Sequence, residues 1–361
     1  MQISVGRGMI SADGRNAFSG TPLGWALWGM QEPKQKTGGS MNIKRINQMF
    51  LITVLISLSA GLMPLSRMFP DYGVRLLFSE ILLSAPGAAW IIAGKRNYAH
   101  TVRLKKIHGS TVVLLFLFYI SIMPLMSLIN AISMLFVENV TANTMQQVVS
   151  GHSFPVSLVL IALLPCIFEE SVYRGLFYNE YRKVAPIGGI VLSAFLFGIM
   201  HGNWNQFSYA FVMGVVFCLI IEATDSILSS MLLHFFINGT SVVLLSFMDK
   251  LSARFPEEMS QALGEAEAVT KLTLGGILRT YLPMALAGTV AAIVIYRQIA
   301  IKEGRLAAVR GLFKRGKTGE GTVAVQPSGK EKPPVARLFS IPLIVAIVLL
   351  LALMVVNEVM I

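Results

Sequence analysis

The ionisable side chains that interrupt apolar runs in this chain gather mainly between residues 169 and 238. The set comprises Glu169, Glu170, Arg174, His201 and His234, together with the polar but uncharged Asn238. An ionisable side chain within apolar surroundings is costly to bury, so each needs a partner or a function. Carboxylates and imidazoles are the side chains that most often activate water as general bases. The set therefore predicts a polar site for acid–base chemistry.

The first members of the set lie close together on one predicted helix. Glu170 and Arg174 are four residues apart with the acid first, the favourable order for a helical ion pair. Glu169 then lacks a local partner, which suits a general base. The alternative is that Glu169 also bonds Arg174 or Tyr173 and only joins two helices.

The remaining members come from two further helices. His201 follows Phe197 at helical spacing and precedes Gly202, so it is expected near a helix end, where a capped or water-exposed histidine is the simpler interpretation. His234 and Asn238 are four apart and share one helix face. They are either interhelical hydrogen-bonding groups or two donors directed at a developing oxyanion.

Composition indicates that these helices lie in a membrane. Hydrophobic residues make up 54% of the 361 residues and charged residues only 14%, beyond the usual range for a soluble domain. Several runs, such as 110–136 and 338–361, reach the roughly 20 residues that cross a bilayer. The predicted fold class is therefore an all-α polytopic transmembrane helix bundle of about eight to nine spans.

Apolar windows between breakers locate the candidate spans. They are 46–66, 74–94, 110–136, 155–178, 187–201, 206–222, 226–248, 277–296 and 338–361. We predict three N-terminal spans in 41–136, a catalytic membrane core in 155–248, an outside segment with the eighth span in 249–300, a basic cytoplasmic linker in 301–337 and a last span in 338–361. Residues 1–40 are interpreted as a disordered tail or an over-extended start.

The net charge of +11 argues for membrane lipid as a partner and against nucleic acid, because the Lys and Arg residues fall between the apolar runs. Four basic sites lie on one side if the spans alternate, which places the amino terminus in the cytoplasm of a bacterial or archaeal cell and the protein in its plasma membrane. These sites are 44–45, 95–106, 182–183 and 297–337.

Depth supports one shared site. Counted from the basic side, Glu169, His201 and His234 lie about 10, 15 and 9 residues into their spans, or roughly 13 to 22 Å at 1.5 Å per residue. Unrelated packing groups have no reason to agree in depth. We expect a pocket among the fourth, fifth and seventh spans that opens toward the cytoplasm or laterally to lipid.

Three strings carry a family resemblance. Residues 169–174 (EESVYR), 197–201 (FGIMH) and 234–238 (HFFIN) resemble the EExxxR, FxxxH and HxxxN motifs of the CPBP family of CAAX-protease and bacteriocin-processing enzymes, also called the Abi family. The resemblance covers roughly residues 155–248 and implies a membrane peptidase. It implies that Glu169, helped by His201, activates water, that His234 and Asn238 stabilise the oxyanion, and that Glu170 and Arg174 orient the site.

The need for a metal stays open at this point. Glu169, His201 and His234 could form a three-ligand Zn²⁺ site with one open position. The same residues can act without metal, as in a glutamate-type peptidase. We favour the metal-free mechanism slightly, because a base Glu169 leaves only two histidines and an asparagine as ligands. No HExxH zinc motif occurs in the chain.

The leading hypothesis is an intramembrane endopeptidase, metallo- or glutamate-type, that hydrolyses a peptide or membrane-protein substrate, including CAAX-like ones. The alternative is a non-catalytic membrane protein, such as a bacteriocin-immunity factor or a scaffold. A transporter ranks last, because it would require broken helices with charges in two matching halves.

Overall fold

The computed structural model describes residues 42–137, 140–257, 273–313 and 334–360. Within these ranges the regular secondary structure consists of helices without a strand, which confirms the predicted all-α class. The predicted tail at 1–40 and residues 314–333 of the predicted linker lie outside the described residues.

The helices follow the nine predicted spans closely, and two further helices of the described residues, at 140–151 and 306–312, lie between spans. Eight of them are long and apolar enough to cross a membrane in the described part of the chain, and the fifth predicted span is a shorter apolar helix. The helices are α1 (Ile43–Gly61), α2 (Tyr72–Ala93), α3 (Gly109–Ser133), α4 (Val140–Gly151), α5 (Phe154–Val184), α6 (Pro186–Met200), α7 (Trp204–Thr224), α8 (Ile227–Arg254), α9 (Leu274–Lys302), α10 (Leu306–Leu312) and α11 (Ile341–Met360).

Helix α5, which carries half of the candidate residues, is not a regular α-helix. It contains two wide π-helical stretches, Val159–Leu163 and Ser171–Tyr178, on either side of the segment Leu164–Glu170. Pro165 lies just after the first wide turn. A proline cannot donate a backbone hydrogen bond and clashes with the carbonyl four residues earlier, which accounts for the widening. Such π-turns occur frequently at functional sites.

Small residues allow the central helices to pack closely. A Cβ atom on Gly214 of α7 would lie only 2.7 Å from Ala194 Cα of α6, so the two helices meet backbone to backbone there. Close approach at small residues is typical of membrane helix pairs. The last helix, α11, packs against α1 and α6 and is therefore part of the bundle.

One end of the bundle, here named the basic end, is formed by the carboxyl ends of α2, α5, α7 and α9. The side chain of Glu222 at this end is 2% exposed. Its Oε1 accepts a hydrogen bond from the Tyr178 hydroxyl at 3.0 Å, and its Oε2 accepts one from Arg182 Nη2 at 2.7 Å. Arg103 Nη1 and Arg305 Nη2 lie 3.7 and 4.0 Å from its carboxylate. This buried carboxylate therefore joins four segments.

A second carboxylate stabilises the same end. Asp225 ends α7 in a left-handed conformation with φ of +56°, which aspartate tolerates better than most residues. It hydrogen-bonds both Arg103 and Lys105. Partial burial opposes its ionisation, but these two cations outweigh that effect and lower the pKa of Asp225 from 3.8 to about 2.

The opposite end, which holds α4 and the amino ends of α2, α5 and α7, is assembled differently. Most of the segment between the third and fourth predicted spans, for which no helix was predicted, forms α4. Gln146 Nε2 and Ser150 Oγ lie 3.2 and 3.0 Å from Asp249 Oδ1 of α8. His152 Nε2 lies 3.2 Å from Asp71 Oδ2 at the start of α2. Helix α4 therefore bridges two spans across this end.

Candidate functional site

The predicted ion pair on α5 is present and deeply buried. Arg174 Nη1 donates to Glu170 Oε1 at 2.9 Å, and neither side chain has exposed surface. The guanidinium carbon of Arg174 lies 4.1 Å from the ring centroid of Phe197 and 4.9 Å from that of Phe217. The pair is thus held between aromatic faces that favour a cation.

His234 of α8 lies against both glutamates. Its Nδ1 is 3.3 Å from Glu170 Oε1, and its Nε2 is 3.8 Å from Glu169 Oε2. An ionised carboxylate only accepts hydrogen bonds, so Nδ1 carries the proton in the neutral ring. Nε2 can then accept from Asn238 Nδ2, which lies 3.2 Å away. The geometry therefore favours the Nδ1–H tautomer of His234.

Asn238 is positioned by the irregular part of α5. Its Nδ2 also donates to the Ile161 carbonyl at 3.0 Å. Ile161 lies in the first π-helical stretch, and Pro165, four residues later, has no N–H to donate to that carbonyl. The two hydrogens of the Asn238 amide are thus directed at the Ile161 carbonyl and at His234 Nε2. Sequence reasoning missed Pro165, although a proline inside a predicted span was a visible signal.

His201 immediately follows the last residue of α6, as predicted. Its Nδ1 lies 2.8 Å from the Phe197 carbonyl one turn earlier, so Nδ1 carries the proton and Nε2 is the basic nitrogen. The rings of Phe197 and His201 are perpendicular, with centroids 4.9 Å apart. Gly202 follows with φ of +72°, a conformation that glycine adopts readily and that ends the helix.

Glu169 has a partner that the sequence analysis did not identify. Its carboxyl group hydrogen-bonds that of Glu80 from α2. Two carboxyl groups in this contact must share a proton, because two adjacent carboxylates repel each other. The alternative bonding partner Tyr173 has a buried hydroxyl without a hydrogen bond, and the nearest Arg174 contact goes to Glu170. The signal in the sequence was Glu80 itself, because it is the one acidic residue within the predicted span 74–94.

A cavity of about 680 Å³ collects most of these groups. Its wall includes Glu80, Glu169, His201, His234 and Asn238. The side chain of Glu169 keeps 16% of its surface exposed, whereas that of Glu170 keeps none. The structure therefore brings four of the six predicted residues to the cavity wall, and it places Glu170 and Arg174 behind them.

The last helix also reaches the cavity. Asn357 of α11 lies in its wall and donates from Nδ2 to the Gly202 carbonyl at 2.9 Å. Gly202 is the neighbour of His201 in the chain. The sequence interpretation found no residue of catalytic type in the last span, and it did not anticipate this contact, because only the folded chain brings residues 202 and 357 together.

The pocket was expected to open toward the cytoplasm or laterally to lipid, and the cavity extends toward the end of the bundle opposite the basic end. Its wall includes Thr144 of α4, the turn residues Gly202 and Asn203, and Asn357, all at the opposite end of the bundle. The cavity wall takes no residue from the described loops of the basic end. The reason is that His201 lies at the far end of the short helix α6, so the site connects to that end.

The donor geometry bears on the predicted ligand set Glu169, His201 and His234. Among the described residues, no group of three or more His, Cys, Asp or Glu side chains is arranged to hold a metal ion. Glu169 and His234 approach each other, but His234 Nε2 also faces Asn238. The side chains as arranged do not form a preformed three-ligand site.

The candidate residues thus line one cavity within a helical membrane bundle, and their carboxylates and imidazoles are side chains suited to acid–base catalysis. The model of one family, described as Rce1-like, type II CAAX prenyl endopeptidase, matches residues 151–240. The matched segment contains all six candidate residues and confirms the resemblance to the CAAX-protease family. It supports a CAAX-type intramembrane endopeptidase in general terms. No curated protein and no solved structure matches the chain.

Proposed function

We propose that this protein is an intramembrane endopeptidase in which Glu169 and His201 activate a water molecule without a metal. The observation that carries the proposal is the shared cavity, to which α5, α6 and α8 bring Glu169, His201 and the His234–Asn238 pair. A peptide bond of a membrane-associated protein is the substrate class that suits such a cavity. Its volume of about 680 Å³ falls within the range of ligand pockets, about 300–1,000 Å³.

The chemical step needs a base and a path for one proton. Glu169, in its carboxylate form, takes a proton from water while the water oxygen bonds to the peptide carbonyl carbon. His201 orients this water through its unprotonated Nε2. When the tetrahedral intermediate collapses, the C–N bond breaks and the proton on Glu169 passes to the leaving nitrogen. The products are a carboxyl group and an amine.

The oxyanion is stabilised by His234 and Asn238 in this mechanism. One solvent proton taken up at His234 Nε2 before the reaction, and returned to solvent after the products leave, turns that nitrogen from an acceptor into a donor. It also releases the Asn238 amide hydrogen that His234 accepts in the resting state. Glu170, in contact with His234 Nδ1, then stabilises the imidazolium as a buried carboxylate does in other hydrolases. Two hydrogen-bond donors therefore become available together.

The test is peptide cleavage by purified protein in detergent. Glu169→Gln and His201→Ala are compared with the wild type, with Glu257→Gln at an exposed position as the matched control. We expect losses of about 10² to 10⁴ fold for the first two variants, typical of a removed general base. The control should retain full activity. Normal thermal unfolding of each variant is required for the comparison.

A strong chelator distinguishes the metal-free mechanism from a Zn²⁺-dependent one. The metal-free mechanism predicts unchanged cleavage, whereas a loss that added Zn²⁺ restores would overturn it. Inert wild-type protein on a broad peptide library, together with unfolding of the Glu169 and His201 variants, would instead favour a structural role for the polar cluster, as in an immunity factor or scaffold.

A further inference from the structure

The two ends of the bundle differ in access to the cavity. At the basic end, the carboxylates of Glu222 and Asp225 are surrounded by cations from three other segments, and none of these residues belongs to the cavity wall. At the opposite end, the wall continues to Thr144 and Asn203, both near the surface. A substrate therefore has its route from the opposite end.

The charge distribution assigns a side of the membrane to each end. The basic end carries clusters of Lys and Arg at 95–106, 182–183 and 297–310. Short loops rich in Lys and Arg stay on the cytoplasmic side during insertion. The turn at 202–203 and the described part of 134–153 carry no Lys or Arg. The end from which the cavity is reached is thus the non-cytoplasmic one.

The cavity wall also restricts the chemistry of the substrate. It contains two carboxyl groups, Glu80 and Glu169, and no Lys or Arg from the described part of the chain. Polar groups near the surface are amides, including Asn203 and Asn357. A peptide cut close to its free carboxyl terminus would bring a second negative charge beside this proton-sharing pair without a Lys or Arg side chain of the wall to pair it, and like charges in contact repel each other.

We propose that the substrate enters from the non-cytoplasmic face as an internal segment of an exported or membrane protein, not as the carboxyl terminus of a cytoplasmic lipidated protein. This inference rests on the proposed peptidase function for its substrate class. The direction of access, in contrast, is a property of the fold and can be measured without catalysis.

The first test measures the orientation in intact bacterial cells. Thr144→Cys is introduced in the cavity wall and Lys106→Cys at an exposed position of the basic end, each reacted with a membrane-impermeant maleimide. The native Cys166 and Cys218 are buried, so the parent chain is the control. We expect labelling of Thr144→Cys in intact cells and of Lys106→Cys only after permeabilisation.

Labelling of Lys106→Cys in intact cells, or protection of Thr144→Cys until the membrane is permeabilised, would overturn the proposed direction. Gln147→Cys, at an exposed position of α4, replaces Thr144→Cys if the latter does not fold or does not react at all. Because labelling requires no activity, this result stands even if the peptidase function fails.

The second test compares two peptides of one sequence with purified enzyme. Both carry the cleaved bond three residues from the carboxyl terminus, and that terminus is either a free carboxylate or an amide. We expect the amide to be cleaved at least about tenfold faster, because it adds no charge beside Glu80 and Glu169. Faster cleavage of the free acid would refute the substrate class. Cleavage of neither peptide, nor of any longer one, would instead refute the peptidase function.

Discussion

At the scale of residues, the site is a chain of charges that runs inward from the cavity. Glu169 lies at the wall, His234 contacts both glutamates, and Glu170 connects His234 to the buried Arg174. The ion pair carries no net charge, so its burial is tolerable as long as both members are present. Removal of one member leaves an uncompensated charge in an apolar interior.

The ion pair leads to a stability prediction. We expect Glu170→Gln to lower the free energy of unfolding by about 3 to 5 kcal/mol, because the Arg174 charge is left buried without its partner. The double variant Glu170→Gln with Arg174→Met removes both charges and should recover most of this loss. Thermal or denaturant unfolding in detergent measures both effects. A double variant less stable than either single one would contradict the argument.

The contact between Glu80 and Glu169 leads to a second prediction. Glu80→Gln retains a donor for the Glu169 carboxylate and should keep kcat within about tenfold of the wild type. Glu80→Leu removes the donor and should lower kcat by at least about a further tenfold. Steady-state cleavage kinetics separate kcat from KM. Equal kcat for the two variants would show that Glu80 serves only to pack α2.

At the scale of elements, the irregular backbone of α5 positions the polar side chains of the site, whereas its apolarity only places the helix in the membrane. The wide turn at Val159–Leu163 and the following Pro165 give the Ile161 carbonyl a side-chain partner, Asn238 on another helix. Helix α11 acts on the same site from a distance in sequence, since Asn357 bonds the Gly202 carbonyl. Local backbone geometry thus determines where the polar side chains meet.

Pro165→Ala tests the role of this irregularity. An alanine supplies the missing N–H and allows a regular turn in which residue 165 donates to Ile161, in competition with Asn238. We therefore expect unchanged or higher thermal stability together with a fall in kcat of at least about tenfold. Parallel unfolding and cleavage assays give both numbers. Unaltered kcat would mean that the Asn238–Ile161 bond has no part in the reaction.

At the scale of the whole molecule, the two ends of the bundle have different tasks. The ion-pair layer around Glu222 and Asp225 holds the loops of the basic end together. The opposite end carries α4 and the entrance to the cavity. The bundle is therefore asymmetric, with its buried ion pairs at one end and the surface-near part of the cavity wall at the other.

The ion pairs of Asp225 at the basic end lead to a prediction about the pH dependence of stability. The pKa of Asp225 is lowered from 3.8 to about 2, so its ion pairs contribute stability above pH 4 that is lost as the pH falls through about 2. We expect Asp225→Asn to be less stable than the wild type by about 1 to 2 kcal/mol at pH 6. The difference should shrink toward zero near pH 2. A difference that is the same at both pH values would exclude the ion pairs as its cause.

Much of the fold followed from the sequence because membrane insertion is governed by local composition. Apolar runs of sufficient length have to become helices in lipid, and the positions of the nine predicted spans agree with helices α1–α3, α5–α9 and α11. The Glu170–Arg174 pair was predictable for the same reason, since spacing within one helix determines which side chains are neighbours.

The environment of the candidate site was decided by the tertiary structure alone. The partners of Glu169 and Asn238, namely Glu80 and the Ile161 carbonyl, come from other helices or from a backbone atom. The contact of Asn357 with Gly202 joins residues 155 positions apart. Such contacts depend on the rotation and crossing of packed helices, which hydropathy and periodicity along one helix do not specify. The sequence alone therefore determined which side chains are available, and helix packing decided which of them meet and toward which end of the bundle their cavity extends.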